Sequence, residues 1–314
     1  NALGLRRLRP PTELPRATSG PVSMALRQPM LHRARSAAAA DLSVAQLGRF
    51  ASFAQSGLND FRGLARVRSG AYPQRSVSAP QSVHLHVHSE YSLLDGACAI
   101  DALAEQAASF GQSALALTDH GVMNGAVEHY QACNKHGIKP ILGCEIYYAE
   151  KPKAGASGKN EHNHLTLLAS SDAGYRNLVK LCSDGFLEGL ERGKPTVDMA
   201  QIDSHSEGLI ALTGCLASRF AGRLADGRED EARAHVDQLV GALGAENVYF
   251  EIQNNGIAAQ DRANEGIVRI AREMGGSLVG TGDVHYLRHE DHRHHTALLC
   301  VQTKSTLDAP KMTF

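Results

Sequence analysis

The stretch Val83-His-Leu-His-Val-His-Ser-Glu-Tyr-Ser-Leu-Leu-Asp-Gly96 begins by alternating aliphatic and imidazole side chains and then turns polar. Val83–Val87 reads as a β-strand. Residues two apart on a strand point the same way, so His86 and His88 can grip one ion from one face. A single His-x-His pair is weak evidence, because an isolated one is more often structural. Its weight depends on what recurs downstream.

Further strand candidates follow at Ala114–Thr118, Ile141–Tyr148, His164–Ala169, Gly208–Thr213, Asn247–Ile252 and Ser277–Val284. Helical patterns lie between most of them, at residues 100–110, 124–136, 173–188, 229–243 and 260–274. The first places Ile100, Leu103, Ala104, Ala107 and Phe110 on one face, and the last turns Ile267, Ile270 and Ala271 inward. Gly111, Gly137, Gly244 and Gly275 stand where helices should stop. Lys151–Asn163, rich in lysine and glycine, reads as a mobile loop. About seven strands alternating with helices predict parallel β-structure, specifically a distorted seven-stranded (βα)7 barrel of α/β class. On periodicity alone an open doubly wound sheet is the alternative.

In such a barrel, reactive groups gather at the carboxyl ends of the strands. The first strand ends on His86 and His88, the second in Thr118-Asp119-His120, and the third carries Cys144-Glu145. His164 opens the fourth, the fifth ends in Thr213-Gly214-Cys215, and the seventh ends in Asp283-Val284-His285. Asp283 and His285 repeat the two-residue spacing of the first pair. Imidazole, carboxylate and a thiol suit zinc first, with manganese or iron as alternatives. Several carboxylates among the imidazoles suggest more than one ion, and two metals about 3.5–4 Å apart suit phosphoester hydrolysis.

Bland readings stand beside these. Asp119-His120 reads equally as a helix N-cap ahead of Asn124, and Cys215 alone as a small core residue. Glu145 on an apolar strand is harder to dismiss, because a buried carboxylate needs a partner. His129, His136, His205 and His235 read as structural. His289, His292, His294 and His295 read as the solvated start of a helix.

The 314 residues have room for one large domain or two ordinary ones. No run of sequence is long and apolar enough to span a bilayer, so no membrane role is expected. The net charge of −1 conceals an asymmetry: residues 1–80 hold twelve arginines, no lysine and three acids, giving +9, so the remainder carries −10. The basic leader reads as a low-complexity, disordered segment. It also reads as a targeting leader, or as upstream sequence translated in error, with Val77 as an alternative start. The barrel is expected over residues 81–314. Six cysteines without a CxxC pair read as reduced thiols of a cytoplasmic protein.

The segment His84–Gly96 resembles the opening motif of the polymerase and histidinol phosphatase (PHP) domain in the alpha subunit of bacterial DNA polymerase III. The resemblance continues through Leu117-Thr-Asp-His-Gly121, Gly137–Tyr147, His164–Leu168, Leu212–Leu216, Asp283–Tyr286 and Ala297–Thr303. It covers the chain from about residue 83 onward and nothing in residues 1–80. It implies a (βα)7 barrel and two or three divalent metals. His86, His88, Glu145 and Asp283 would hold one ion, Glu145, His164 and Cys215 a second, and Asp95, His120 and His285 a third. His84 falls outside that set as a packing or supporting residue. Many relatives carry Asn where this chain has Gly282, which implies an altered hydrogen bond rather than a lost metal.

A complete ligand set implies a metal-dependent 3′→5′ exonuclease acting on the primer 3′ end, with Asp283, Glu145 and His285 as catalytic residues. The parent protein would be a DNA-directed DNA polymerase working with other replisome subunits, and the chain stops before the polymerase palm. Two alternatives stay open: a metal-stabilised scaffold that docks a proofreading subunit, and a histidinol-phosphatase-type phosphoesterase.

Overall fold

Lys139–Tyr148 is the longest strand of the sheet, and every residue from Gly143 onward is buried. An apolar run without alternation is what a strand covered on both faces requires. The computed structural model describes residues 82–150, 162–191 and 193–312. The expectations for residues 1–80, the Val77 start and nearly all of the 151–163 loop lie outside them.

The strands are β1 (Ala114–Leu117), β2 (Lys139–Tyr148), β3 (Asn163–Ala169), β4 (Leu190–Glu191), β5 (Lys194–Val197), β6 (Leu209–Leu212), β7 (Val248–Gln253) and β8 (Ser277–Thr281). The helices are α1 (Ile100–Ser109), α2 (Ala126–Lys135), α3 (Asp172–Leu187), α4 (Met199–Ser204), α5 (Arg219–Ala225), α6 (Glu229–Leu243), α7 (Ala258–Met274) and α8 (His292–Thr303). β1 pairs with β2, β6 with β7 and β7 with β8, all in parallel. β3 runs antiparallel to both of its neighbours, β2 and β6.

That antiparallel strand corrects the expectation of purely parallel pairing. A strand buried on both faces reads the same in either direction, so periodicity carries no sign. The reversal places the start of β3 beside the end of β2, with His164 paired to Tyr147. His164 therefore reaches the same rim as the carboxyl ends of the parallel strands.

The expected first strand, Val83–Val87, is not a regular strand. It joins its neighbours through single bridges, His84 to Leu115 and Val87 to Val284. The amides of Ala116 and Thr118 donate to the carbonyls of His84 and Val87 on one side. On the other, His88 donates to Val284 and Val284 to His86, at 2.8 and 3.1 Å. These bonds join the two edges of the sheet and close a distorted seven-stave barrel. Leu85, Ala114, Ala116, Ile141, Leu168, Ile210, Leu212, Tyr249 and Val279 form one buried cluster drawn from all seven staves. They fill the barrel interior, and burying each leucine or isoleucine stabilises the fold by about 1.5–3 kcal/mol.

On α1, Ile100, Leu103, Ala104 and Ala107 are buried as the spacing predicts. Phe110 is exposed, because the helix ends at Ser109 and the chain turns away at Gly111. Ile267, Ile270 and Ala271 of α7 are buried, as expected. The expected strand Ser277–Val284 stops at Thr281, because Asp283 takes a left-handed φ of 50°, a conformation that is costly for a residue with a side chain. The β4–β5 hairpin and the short helices α4 and α5 escaped the sequence reading. Side-chain caps hold the two helices: Asp198 accepts from the Gln201 amide and Ser218 from the Ala221 amide.

Candidate metal centre

Glu145 sits in the buried half of β2 and His86 and His88 in the closing stave, so the barrel brings them together without help from flexible loops. His86 Nε2 lies 3.2 Å from Glu145 Oε1 and 3.3 Å from Asp283 Oδ1. His88 Nε2 lies 3.3 Å from the same Asp283 oxygen and 3.7 Å from Glu145 Oε2. Glu145 Oε2 also faces His120 Nδ1 at 2.7 Å and His164 Nδ1 at 2.9 Å. Cys215 Sγ stands 3.7 Å from Glu145 Oε1 and 4.0 Å from His164 Nδ1. Asp95 Oδ2 is 3.3 Å from His120 Nε2, and His285 Nδ1 is 3.6 Å from Asp283 Oδ1.

All nine predicted residues therefore converge on one rim. Three sets have donor atoms within 4.8 Å of one another: His86, His88 and Glu145; His120, Glu145 and His164; and His88, His120 and His285. Glu145 belongs to two of them, the position a bridging carboxylate would take. The grouping differs in detail from that implied by the resemblance, since His120 also faces Glu145 and His164, and His88 also faces His285.

Ring tautomers follow from the partners. Glu251 Oε1 lies 2.7 Å from His86 Nδ1. A carboxylate only accepts, so Nδ1 carries a proton and Nε2 is the nitrogen aimed at Asp283 and Glu145, protonated in the metal-free protein and free to bind once a metal displaces that proton. The single Ser92 hydroxyl proton goes to Asp119 Oδ1, at 2.7 Å, so the Ser92 oxygen accepts from His88 Nδ1 at 3.1 Å. His285 Nδ1 donates to the Asp283 carbonyl at 2.9 Å. Each of these three rings thus turns its Nε2 away from its anchoring partner.

Several buried atoms in this centre make no hydrogen bond: His86 Nε2, His88 Nε2, His120 Nδ1, Glu145 Oε2, Asp283 Oδ1 and Asp95 Oδ1. Leaving a buried polar atom unsatisfied costs about 1–3 kcal/mol. Two donors bound to one ion at about 2.0–2.2 Å stand roughly 3–3.6 Å apart, and three of the four separations among His86, His88, Glu145 and Asp283 fall there at 3.2–3.3 Å, the fourth being 3.7 Å. The residues present fit a divalent metal.

Electrostatics agree. Burial, together with His120 and His285, holds His88 down to about 3, leaving a neutral imidazole. Burial works against the charge of Glu145, but His164 and His86 outweigh it and keep its pKa well below the usual carboxylate range. Asp283 is likewise lowered against burial by His86 and His88. Burial pushes the Cys215 thiol up, so a thiolate there needs a cation.

Sequence reasoning missed Glu251. It is 1% exposed, and besides His86 it accepts hydrogen bonds from the Gly214 amide at 2.9 Å, Gln253 Nε2 at 3.2 Å and the Thr281 hydroxyl. Its signal was the one that marked Glu145, a carboxylate inside an apolar strand. Asp119 is no helix cap: it accepts from Ser89 N, Ser89 Oγ and Ser92 Oγ and ties down the 89–95 loop that delivers Asp95. His295 is buried rather than solvated, donating Nε2 to the Asp95 carbonyl at 2.8 Å, whereas His294 is exposed as expected. The His84 ring lies beside Gly282.

The model of the PHP domain family matches residues 84–255. The DNA polymerase III subunit alpha of Treponema pallidum is 41% identical over 231 residues, covering 73% of this chain and 20% of that protein. That of Thermus aquaticus is 40% identical over 234 residues, covering 73% and 19%. That of Deinococcus radiodurans is 39% identical over 246 residues, covering 75% and 18%. The chain spans about a fifth of the length of these curated relatives. A putative metal-dependent phosphoesterase from Bifidobacterium adolescentis is 16% identical with a TM-score of 0.39, covering 65% of this chain and 87% of that one, a likeness too slight to argue from. Among the described residues no helix is long and apolar enough to cross a membrane. With seven of the nine converging residues inside a family match that spans more than half its length, the chain belongs to the PHP domain family.

Proposed function

We propose that this barrel is a metal-dependent phosphodiesterase that trims mispaired nucleotides from a DNA 3′ end, a 3′→5′ exonuclease carried in a cytoplasmic DNA polymerase III alpha chain. The observation that carries the reading is the set of buried nitrogen and carboxylate atoms that make no hydrogen bond and face one another at 2.7–3.7 Å. His86, His88, Glu145 and Asp283 would hold one ion, Glu145, His164 and Cys215 a second, and Asp95, His120 and His285 a third. Zinc suits this donor set first, with manganese or iron as alternatives.

Bound metals would supply an activated water and neutralise charge on the phosphoryl oxygens. Glu145, shared between two of the donor sets, would tie the ions they hold to one another. Asp283, tipped inward by its left-handed backbone, faces His86 and His88 together. His285 presents Nε2 from the adjoining turn, its other nitrogen fixed by the Asp283 carbonyl. No protein nucleophile is needed. Contacts with other replisome subunits and template-directed synthesis would belong to regions outside this barrel.

The test is metal analysis of the purified chain beside a 3′-mismatched primer assay, comparing wild type with Asp283→Asn. Wild type is expected to retain two or three ions per chain and to remove the mismatch, and Asp283→Asn to lose about 100-fold or more in rate. Bound metal without nuclease activity would point instead to a docking scaffold. Carefully prepared protein without metal would overturn the reading of the whole cluster.

A further inference from the structure

The β4–β5 hairpin overhangs the metal centre, and Lys194 opens β5. Tyr147 pairs in parallel with Thr196, a register that brings Lys194 level with Glu145 when continued two residues back. Pro195 Cγ lies 2.7 Å from where a Cβ on Gly121 would sit, so β5 begins directly over the turn that follows His120. The Tyr147 ring stacks on His120 at 6.0 Å and meets His164 edge-on at 5.3 Å. Lys194 Nζ sits 4.6 Å from the centre of that same ring. One aromatic ring thus separates a lysine ammonium from two candidate metal ligands.

Lys194 is half-buried, and burial lowers its pKa although the Asp95 and Glu145 carboxylates pull the other way. Among the described residues its ammonium makes no ion pair and no hydrogen bond and meets the Tyr147 ring alone. A partly desolvated ammonium is costly without an anion. At the mouth of a phosphodiesterase site, the anion on hand is the substrate backbone.

We propose that Lys194 binds a non-bridging phosphate oxygen of the nucleic-acid strand beside the phosphodiester held at the metal centre, with the Tyr147 ring fixing its ammonium in place. The proposal rests on the phosphodiesterase reading above. It makes Lys194 a residue that sets substrate affinity and register, with no part in holding metal. A flexible point charge is suited to following a backbone that advances after each cleavage.

The test compares wild type, Lys194→Ala and Lys194→Arg. Binding is measured by fluorescence anisotropy with a fluorescein-labelled, phosphorothioate-linked single strand, which resists cleavage, in the metals the protein retains. Lys194→Ala is expected to weaken binding about tenfold and to flatten the logarithmic salt dependence by about 0.7, the loss of one phosphate contact. With a cleavable primer it should raise KM while kcat stays within about threefold. Metal content and melting temperature should match wild type, and Lys194→Arg should restore affinity to within about threefold.

Unchanged affinity and salt slope in Lys194→Ala would overturn the proposal, as would loss of metal from that variant. If wild type holds metal and cleaves nothing, the nuclease reading falls, while the anisotropy series still decides the role of Lys194. Wild type that fails to bind the strand at all would refute Lys194 as a phosphate contact.

Discussion

Replacing Glu251 by glutamine keeps the shape of the side chain and removes its charge, so the effect isolates what the carboxylate does for His86. In the native protein Oε1 receives His86 Nδ1, Gln253 Nε2 and the Thr281 hydroxyl, and Oε2 receives the Gly214 amide. Every one of these neighbours is a donor. An amide placed either way round therefore sets its NH2 against at least one of them. Loss of a charge-assisted bond and one buried donor–donor conflict each cost about 1–3 kcal/mol.

Part of that cost appears as stability and part as weakened metal binding, because the His86 tautomer is no longer enforced. A supporting carboxylate of this kind is worth about 10–100-fold in metal affinity, or roughly 1.4–2.7 kcal/mol. The assay is competitive chelator titration followed by metal analysis, with thermal unfolding in parallel. Glu251→Gln is expected to release metal at a chelator concentration at least tenfold lower than wild type. Melting of the loaded protein should fall by several degrees, at about 2–4 °C per kcal/mol for a domain of this size. Wild-type metal affinity in a folded Glu251→Gln protein would refute the deduction that Glu251 orients His86 toward a metal.

Asp119→Asn should cost about 1–3 kcal/mol, because an amide cannot accept the hydrogen bonds that Ser89 and Ser92 direct at both carboxylate oxygens. Hydrogen exchange over residues 89–96 should rise with it, and unchanged protection there would show that Asp119 does not hold the loop. Stability of chelator-stripped protein should depend on pH with a definite sign. His120 is held up to about 10: burial opposes its charge, but Asp95 and Glu145 outweigh burial. His86 is raised in the same direction, against burial, by Asp283, Glu251 and Glu145. Both pKa values exceed the unfolded value of 6.5, so their stabilisation is complete below about pH 6.5 and is lost as pH rises toward 10. The lowered pKa of Glu145 adds stability above about pH 4.5 that is lost as pH falls. His88 and His235, held down to about 3, and His129, held down to about 4, act with the opposite sign and remove stability as pH falls below 6.5. Melting of the stripped protein should therefore peak near pH 6.5–7, while metal affinity increases with pH as ligands shed protons. A stripped protein that does not lose stability between pH 7 and 10 would contradict the imidazolium–carboxylate packing.

Particular residues show where sequence reading ends. Glu145 was legible because an acid in an unbroken apolar run has to be buried, and burial demands a partner whatever the fold. The helix faces of α1 and α7 were legible because 3.6-residue spacing is a local property, as were the stops at Gly111, Gly137, Gly244 and Gly275, all at positive φ in the structure. Glu251 carried the same signal as Glu145 but had no histidine near it in sequence. Its partner His86 lies 165 residues away, and only barrel closure brings them to 2.7 Å.

Two-residue spacing predicts His86 and His88 as neighbours on a regular strand. The structure keeps their shared aim at Asp283 but supplies it through a bridged stave and a kinked residue, neither of which two-residue periodicity encodes. The direction of β3, which carries His164 to the ligand rim, was equally silent, since side-chain alternation is unchanged when a strand is reversed. Most buried positions, the side chains chemically able to bind metal and the main elements that present them were legible in the chain itself, Phe110 and His295 being exceptions. Tertiary structure alone decided how those donors are grouped, which protons they carry and which lysine overhangs them, because these depend on contacts between segments that only closure of the barrel brings together.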